Sequence, residues 1–207
     1  MGLEIEFKWE ANSPSAFSKI RRTVKQLGVT IHSPQRLAIE DVYLDTPHRN
    51  FEKEKIAFRV RRCNRVWEAT FKTRTALSAG KAVRREETCA LPRVTNLKQA
   101  LAYLNQKKCW KGLTVANLEP LFVLKNRRQI QLISGKNWQA ELALDTCVLH
   151  VCGRKVHFKE AELELKKGPV KLFENFARRL QDSTGLIPSR VSKVRTATSL
   201  LHLWGEK

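Results

Sequence analysis

The chain has 207 residues, 39 Lys or Arg against 20 Asp or Glu, and a formal net charge of +19. An apolar share of 42% with clear periodicity excludes a wholly disordered chain. No run of about 18 apolar residues is present to span a bilayer as a helix.

The length fits one domain over 1–207, or a single large barrel. The opening Met1-Gly2-Leu3-Glu4-Ile5-Glu6 lacks the basic and apolar regions of a signal peptide, so a cytoplasmic location and no membrane partner are expected. The cysteines (Cys63, Cys89, Cys109, Cys147, Cys152) are odd in number, scattered and without a CxxC, and read as reduced thiols. The histidines form no HExxH. Zinc sites, redox motifs and a Ser-His-Asp triad therefore have no support. The excess positive charge calls for an anionic partner: nucleic acid, an acidic membrane surface or a polyphosphate. Where the charges sit has to choose among them.

In chain order, Leu3 to Glu10 alternates apolar and charged residues, the period of a strand with two unlike faces. Ser13-Pro14 starts a helix with Phe17, Ile20, Val24 and Leu27 on one face and Gly28 as its stop. Alternating segments follow. Arg59 and Arg61 share a face, Thr70 and Lys72 flank Phe71, and Arg85 and Glu87 share a face. Asn96 caps a second helix to about Leu104. Lys125, Arg127, Gln129 and Gln131 line up on one strand, Glu141 and Asp145 on the next, and Glu160 to Lys166 repeats the first segment closely. Pro169 opens a third helix that stops at Gly185, and a fourth runs from about Ser192 to Trp204. The stretches 74–82 and 106–118 read as loops. The class is α+β, not alternating βαβ.

Like charges two residues apart on one strand face repel. Glu4 with Glu6, Glu162 with Glu164 and Arg59 with Arg61 all do this, so something must compensate them. A closed antiparallel barrel with polar faces inward supplies that compensation. Its cations would hold a polyanion, its carboxylates a divalent metal, and helices would cover the apolar outside.

Glu4-Ile5-Glu6-Phe7-Lys8, Tyr43-Leu44-Asp45-Thr46-Pro47, Phe58-Arg59-Val60-Arg61, Thr70-Phe71-Lys72, Arg85-Glu86-Glu87, Lys125-Asn126-Arg127, Glu141 to Asp145, Glu162-Leu163-Glu164 and Ser192-Lys193 occur in this order. The set resembles the CYTH superfamily, the triphosphate tunnel metalloenzymes, and within it the bacterial inorganic triphosphatase branch, which often carries an additional helical domain that is not expected here. The resemblance implies a closed eight-stranded antiparallel β-barrel, a triphosphate tunnel, with surrounding helices. It implies phosphate contacts from Lys8, Arg59, Arg61, Lys72, Arg85, Lys125, Arg127 and Lys193, and Mg²⁺ or Mn²⁺ held by Glu4, Glu6, Asp145, Glu162 and Glu164 with Glu87 nearby. Glu4, Glu6, Lys8 and Tyr43 would carry the chemistry, and Tyr43 matches a tyrosine that influences substrate choice in some members.

Two positions depart from the family pattern. Cys89 stands where a carboxylate is common, and Thr196 where a basic residue is usual, with Arg195 about 100° away around the helix.

Phosphoryl transfer is mostly positioning and charge stabilisation, which suits such a set. Oxygen donors select hard Mg²⁺ or Mn²⁺, and no Gly-rich phosphate loop is present. The activity implied is hydrolysis of inorganic triphosphate. Alternatives inside the fold are hydrolysis of thiamine or nucleoside triphosphates and class IV adenylate cyclisation. A further alternative is non-catalytic binding of polyphosphate or nucleic acid, since cations such as Arg21, Arg22, Lys53, Lys166 and Arg178 lie outside the motifs.

Overall fold

The computed structural model describes residues 2–72, 76–78, 81–107, 115 and 117–205, with side chains undescribed at 2–3, 76–78 and 82–85. In chain order the elements are β1 (Gly2–Glu10), α1 (Ala16–Gln26), β2 (Thr30–Ile31), β3 (Gln35–Asp45), α2 (Asn50–Lys53), β4 (Ala57–Cys63), β5 (Val66–Lys72) and β6 (Ala76–Ser78). They continue with β7 (Lys81–Ala90), α3 (Leu97–Lys107), β8 (Glu119–Gly135), β9 (Trp138–Val151), β10 (Arg154–Lys167), α4 (Val170–Thr184), β11 (Ile187–Pro188) and α5 (Lys193–Gly205).

The strands form one antiparallel sheet ordered β11-β1-β10-β9-β8-β3-β4-β5-β7-β6, with β2 branching from β8. This corrects the expected closed eight-stranded barrel. The sheet has eleven strands, and β11 and β6 at the ends of its path each have one partner among the described residues, so free edges remain. The added strands β2, β6 and β11 are two or three residues long, too short to show a period in sequence. β1 pairs with β10 over Glu6–Glu10 and also with β7 over Gly2–Phe7. It has partners on both sides at Glu6 and Phe7, between β10 and β7, and again at Trp9 and Glu10, between β10 and β11. The sheet thus curls until the polar faces of β1, β3, β4, β5, β8, β9 and β10 look onto a shared space.

Each strand's apolar face goes to a helix. α1 and α4 bury Ile20, Val24, Phe173 and Leu180 against Trp9, Leu142, Leu144 and Leu163. The Trp9 Nε1–H donates to Gln181 Oε1 at 2.9 Å, so the indole is buried with its polar atom satisfied. α3 packs Ala100 and Leu104 on Phe58, Val60 and Ala69. α5 is different. Its Ala197 meets Tyr43, Phe122, Leu124 and Leu149, residues of the inner face, so this helix plugs one end of the enclosed space.

Local signals place the helix ends. Asn96 Oδ1 accepts the Gln99 N–H at the start of α3. Gly185 ends α4 in the left-handed region at φ 64°, where glycine carries no Cβ penalty. The Ser192 Oγ accepts the Arg195 N–H at the start of α5. The stretches read as loops contain β6, the start of β7 and the end of α3, and most of the remainder lies outside the described residues. No helix among the described residues is long and apolar enough to cross a membrane.

Candidate active site

The inward faces enclose a cavity of about 420 Å³. Its described lining has seven cations (Lys8, Arg59, Arg61, Lys72, Arg128, Lys166, Lys193) and six carboxylates (Glu4, Asp41, Glu86, Glu141, Glu162, Glu164), together with Tyr43, Leu124, Asn126, Ser192 and Val194.

Strand alternation explains the set. On β4, Arg59 and Arg61 face inward while Phe58 and Val60 face α3. On β1, Glu4, Glu6 and Lys8 face inward while Phe7 and Trp9 face α1 and α4. β10 sends Glu160, Glu162, Glu164 and Lys166 inward, opposite Asp145, Ala143 and Glu141 of β9.

Three charge groups result. The first is centred on Asp41, which is 2% exposed. Arg61 donates to it twice, at 2.6 and 2.8 Å, and Arg59 lies 3.5 Å away. Burial pushes the Asp41 carboxyl up, but the charges of Arg59, Arg61 and Lys72 outweigh it and hold the group below its ordinary range. Lys72 bonds Glu86 at 2.5 Å and lies 3.8 Å from Glu4. Arg59 is the register partner of Tyr43 on the adjacent strand and also lies 3.8 Å from Glu86.

The second group is a buried knot. Lys193, the first residue of α5, reaches Asp145 and Glu160 at 2.8 Å and Glu162 at 2.9 Å. Arg128 donates to both oxygens of Asp145, at 2.7 and 2.6 Å, and to Glu162. Lys8 donates to Glu162 at 2.8 Å and lies 3.3 Å from Glu6. Burial opposes ionisation of Asp145 and Glu162, yet the Lys193 charge, with Arg128 and for Glu162 also Lys8, keeps both carboxyls below the usual range.

The third group is acid-rich. Glu164 bonds Lys166 at 2.8 Å, and Lys166 lies 4.0 Å from Glu141. Burial, with Glu4 and Glu141 nearby, raises the Glu164 carboxyl above its ordinary value despite Lys166.

Of the residues expected from the sequence, Glu4, Lys8, Tyr43, Arg59, Arg61, Lys72, Glu162, Glu164 and Lys193 line the cavity, and Glu6 and Asp145 lie buried behind it. Three do not come together with them. Lys125 and Arg127 are exposed on the outer face of β8, because the strand's inward positions are Leu124, Asn126 and Arg128. Glu87 pairs with Phe71 on the outward face of β7, and Glu86, paired with Lys72, takes the inward place. The Arg85 side chain lies outside the described residues. Lys166, read as a surface cation, is part of the lining. Asp45 of the Asp-Thr-Pro turn serves the fold, since its carboxylate accepts the N–H groups of Thr46, Phe51 and Glu52 and so fixes α2.

Asp41, Glu86, Asn126 and Arg128 carried no weight in the sequence reading. Asp41 was within reach of it, standing two residues before Tyr43 on the same face. Asn126 Oδ1 and Arg59 Nε are buried and have no hydrogen-bond partner among the described residues. No three carboxylate, histidine or cysteine side chains among the described residues form a metal-holding group.

A second cavity of about 520 Å³ adjoins the first. The two share Tyr43, Lys72, Ser192 and Val194, and the second adds Ile56, Phe58, Phe122 and Arg195.

Several solved structures share this fold. A Hippeastrum protein described as an adenylyl cyclase with a dominant triphosphatase activity matches with a TM-score of 0.68 at 16% identity, over 95% of each chain. A Vibrio parahaemolyticus protein described as an adenylate cyclase matches with a TM-score of 0.57 at 16% identity, over 95% of this chain and 98% of that one. The RNA triphosphatase domain of a mimivirus mRNA capping enzyme matches with a TM-score of 0.52 at 13% identity, over 88% of each. At these identities the likeness is one of fold, and it does not separate triphosphatase relatives from cyclase-like ones. No curated protein matches the chain in sequence. The CYTH domain model matches residues 2–198, and the chain belongs to the CYTH family.

Proposed function

We propose that this cavity hydrolyses a phosphoanhydride bond of inorganic triphosphate with the help of Mg²⁺ or Mn²⁺. The supporting observation is that Lys8, Arg59, Arg61, Lys72, Arg128 and Lys193 reach one enclosed space that is acid-rich at Glu4, Glu141 and Glu164.

The donors divide when tested against a metal. Asp145 and Glu162 are committed to Arg128, Lys193 and Lys8, which makes them poor ligands. Glu4 and Glu164 fit better. The Glu164 carboxyl is raised by burial first and then by the nearby Glu4 and Glu141 charges, and a hard cation would offset both. Mg²⁺ needs only one or two carboxylates when substrate phosphates supply further oxygens, so a three-residue cage is not required. Once bound, the ion would neutralise phosphate charge and acidify a water.

The chain's own side chains do the rest. Arg59 and Arg61 present forked donors to phosphate oxygens, and Lys72 acts as a movable point charge. Arg61 spends two of its five N–H groups on Asp41, which fixes its plane and leaves the others for an anion. Asp41 at 3.5 Å and Glu86 at 3.8 Å flank the Arg59 guanidinium.

The adjoining cavity favours a second reading, an organic triphosphate. Tyr43 and Phe122, stacked 4.7 Å apart, offer apolar ring surface beside the phosphate-facing cations. Phosphate release from tripolyphosphate, ATP and thiamine triphosphate, with Mg²⁺ or Mn²⁺, separates the two. Turnover fastest on tripolyphosphate and lost in Arg59→Ala supports the first. A protein inert on all three with both metals removes both.

A further inference from the structure

The described lining of the cavity holds seven cations and six carboxylates, a net of +1, against +19 for the chain. The charge excess is therefore carried elsewhere. One concentration of it has a regular geometry, on the outer face of the sheet between β8 and β10.

Lys125 and Arg127 alternate along β8, and Lys155, His157 and Lys159 alternate along β10. β9 lies between them, with His150 and the uncharged Thr146 and Val148 facing the same way. The register fixes this arrangement: Lys125 pairs with Val148 and Arg127 with Thr146, and across the next ladder His150 pairs with Lys155, Val148 with His157 and Thr146 with Lys159. Two lines of cations thus run parallel, two strand spacings or about 10 Å apart, with Lys125 and Arg127 about 7 Å apart on one and Lys155 and Lys159 about 13 Å apart on the other, the His157 ring between them. The step from Lys125 to Arg127 is of the order of the spacing between successive phosphates in a stretched nucleic-acid strand. α1 and α4 cover the neighbouring Leu142, Leu144, Ala161 and Leu163 and reach this stretch at its edge, where the half-buried Lys159 holds its ammonium 5.6 Å from the centre of the Phe17 ring of α1; the rest is open. Lys125, Arg127, Lys155 and His157 are all exposed. One carboxylate intrudes, Glu40, 3.6 Å from Lys125. Burial and then the charges of Lys125, Lys155 and His157 lower the His150 pKa, in keeping with a positive field over the face.

We infer that this face binds a single-stranded nucleic acid, the cation lines taking phosphates and the imidazoles of His150 and His157 offering flat rings to bases. Two observations favour this occupant. Histidine rings are stacking platforms for unpaired bases. A lipid surface would call for exposed apolar side chains beside the cations, and the large exposed ones (Val66, Val170, Leu172, Ile187, Val191, Leu203) lie off this face. The inference is independent of the cavity's chemistry.

The test is fluorescence anisotropy of the full chain with a labelled oligouridylate of about 16 nucleotides. Salt is varied between about 50 and 200 mM. Contacts to four phosphates give a log–log salt slope near −3, about 0.7 for each phosphate. Lys155→Glu/Lys159→Glu and Lys125→Glu/Arg127→Glu each weaken binding by about tenfold or more and flatten the slope, since phosphate contacts dominate affinity. The first pair keeps the phosphate-release activity of the parent, which checks its fold. The control is Lys171→Glu/Arg178→Glu, the same charge change on the exposed side of α4, and it leaves affinity within about threefold. His157→Ala weakens binding of the oligouridylate but not of long-chain polyphosphate. An equal loss from the α4 control overturns the inference, as does binding to phosphatidylserine vesicles or polyphosphate that is as tight as binding to the oligonucleotide.

Discussion

Arg61 grips Asp41 through two parallel hydrogen bonds, Nε to Oδ1 at 2.6 Å and Nη2 to Oδ2 at 2.8 Å, and the two residues are register partners on adjacent strands. Removing one member of such a buried pair strands the other's charge, at a cost of about 3–5 kcal/mol. Asp41→Ala is expected to lose that much in urea unfolding. The same change frees two guanidinium groups, so competitive inhibition by inorganic phosphate should tighten. A variant of parental stability would show that the pair contributes little.

The pH dependence of stability has a definite sign. Asp41, Asp145 and Glu162 ionise in the fold below their ordinary values of 3.8, 3.8 and 4.5. Their contribution is complete above the ordinary values and is lost as pH falls through the depressed ones. Glu164 runs the other way: its raised value gives stability that is present in acid and disappears as pH rises through it. Glu164→Gln is therefore expected to be neutral or stabilising at pH 7 while it lowers metal-dependent turnover. Urea midpoints across the acid range, for parent and variant, measure both effects.

Two adjacent arginines on β8 should behave oppositely. Arg128 lines the cavity and Arg127 is exposed on the outer face. Hydrogen bonds to charged groups contribute roughly 1.5–3 kcal/mol, so Arg128→Ala is expected to lose roughly 10- to 150-fold in kcat/KM. Arg127→Ala should stay within about twofold of the parent, as surface substitutions usually do. The reverse result would place β8 in the other register.

Lys193 ties α5 to three carboxylates on β9 and β10. Lys193→Ala leaves Asp145, Glu160 and Glu162 with less compensation in a buried site. Amide exchange in α5 should accelerate before that in β9, and phosphate release should fall. Protection in α5 equal to that of the parent would mean that Ala197 and its apolar neighbours anchor the helix without Lys193.

How much of this was legible depended on whether a strand has one polar face or two. β1 and β10 alternate cleanly, so Glu4, Lys8, Glu162 and Glu164 could be assigned to the inner face from the letters alone. In β8, Lys125-Asn126-Arg127-Arg128 is polar at every position, and in β7 so is Arg84-Arg85-Glu86-Glu87. Periodicity carries no parity there. The inward residue is set by which neighbour offers a partner: Asp145 for Arg128, Lys72 for Glu86. The helices were readable through Asn96, Pro169 and Gly185, whose capping chemistry is local. α2 was not, because its four residues are held by Asp45 from outside the helix.

β1 divides its loyalties, giving Gly2–Phe7 to β7 and Glu6–Glu10 to β10. Clipping the chain just ahead of Glu6 would unzip the β7 seam and take Glu4 from beside Lys72, yet leave the whole β10 ladder paired. Limited proteolysis at that end is thus a way to silence the chemistry in a protein that still melts as one unit.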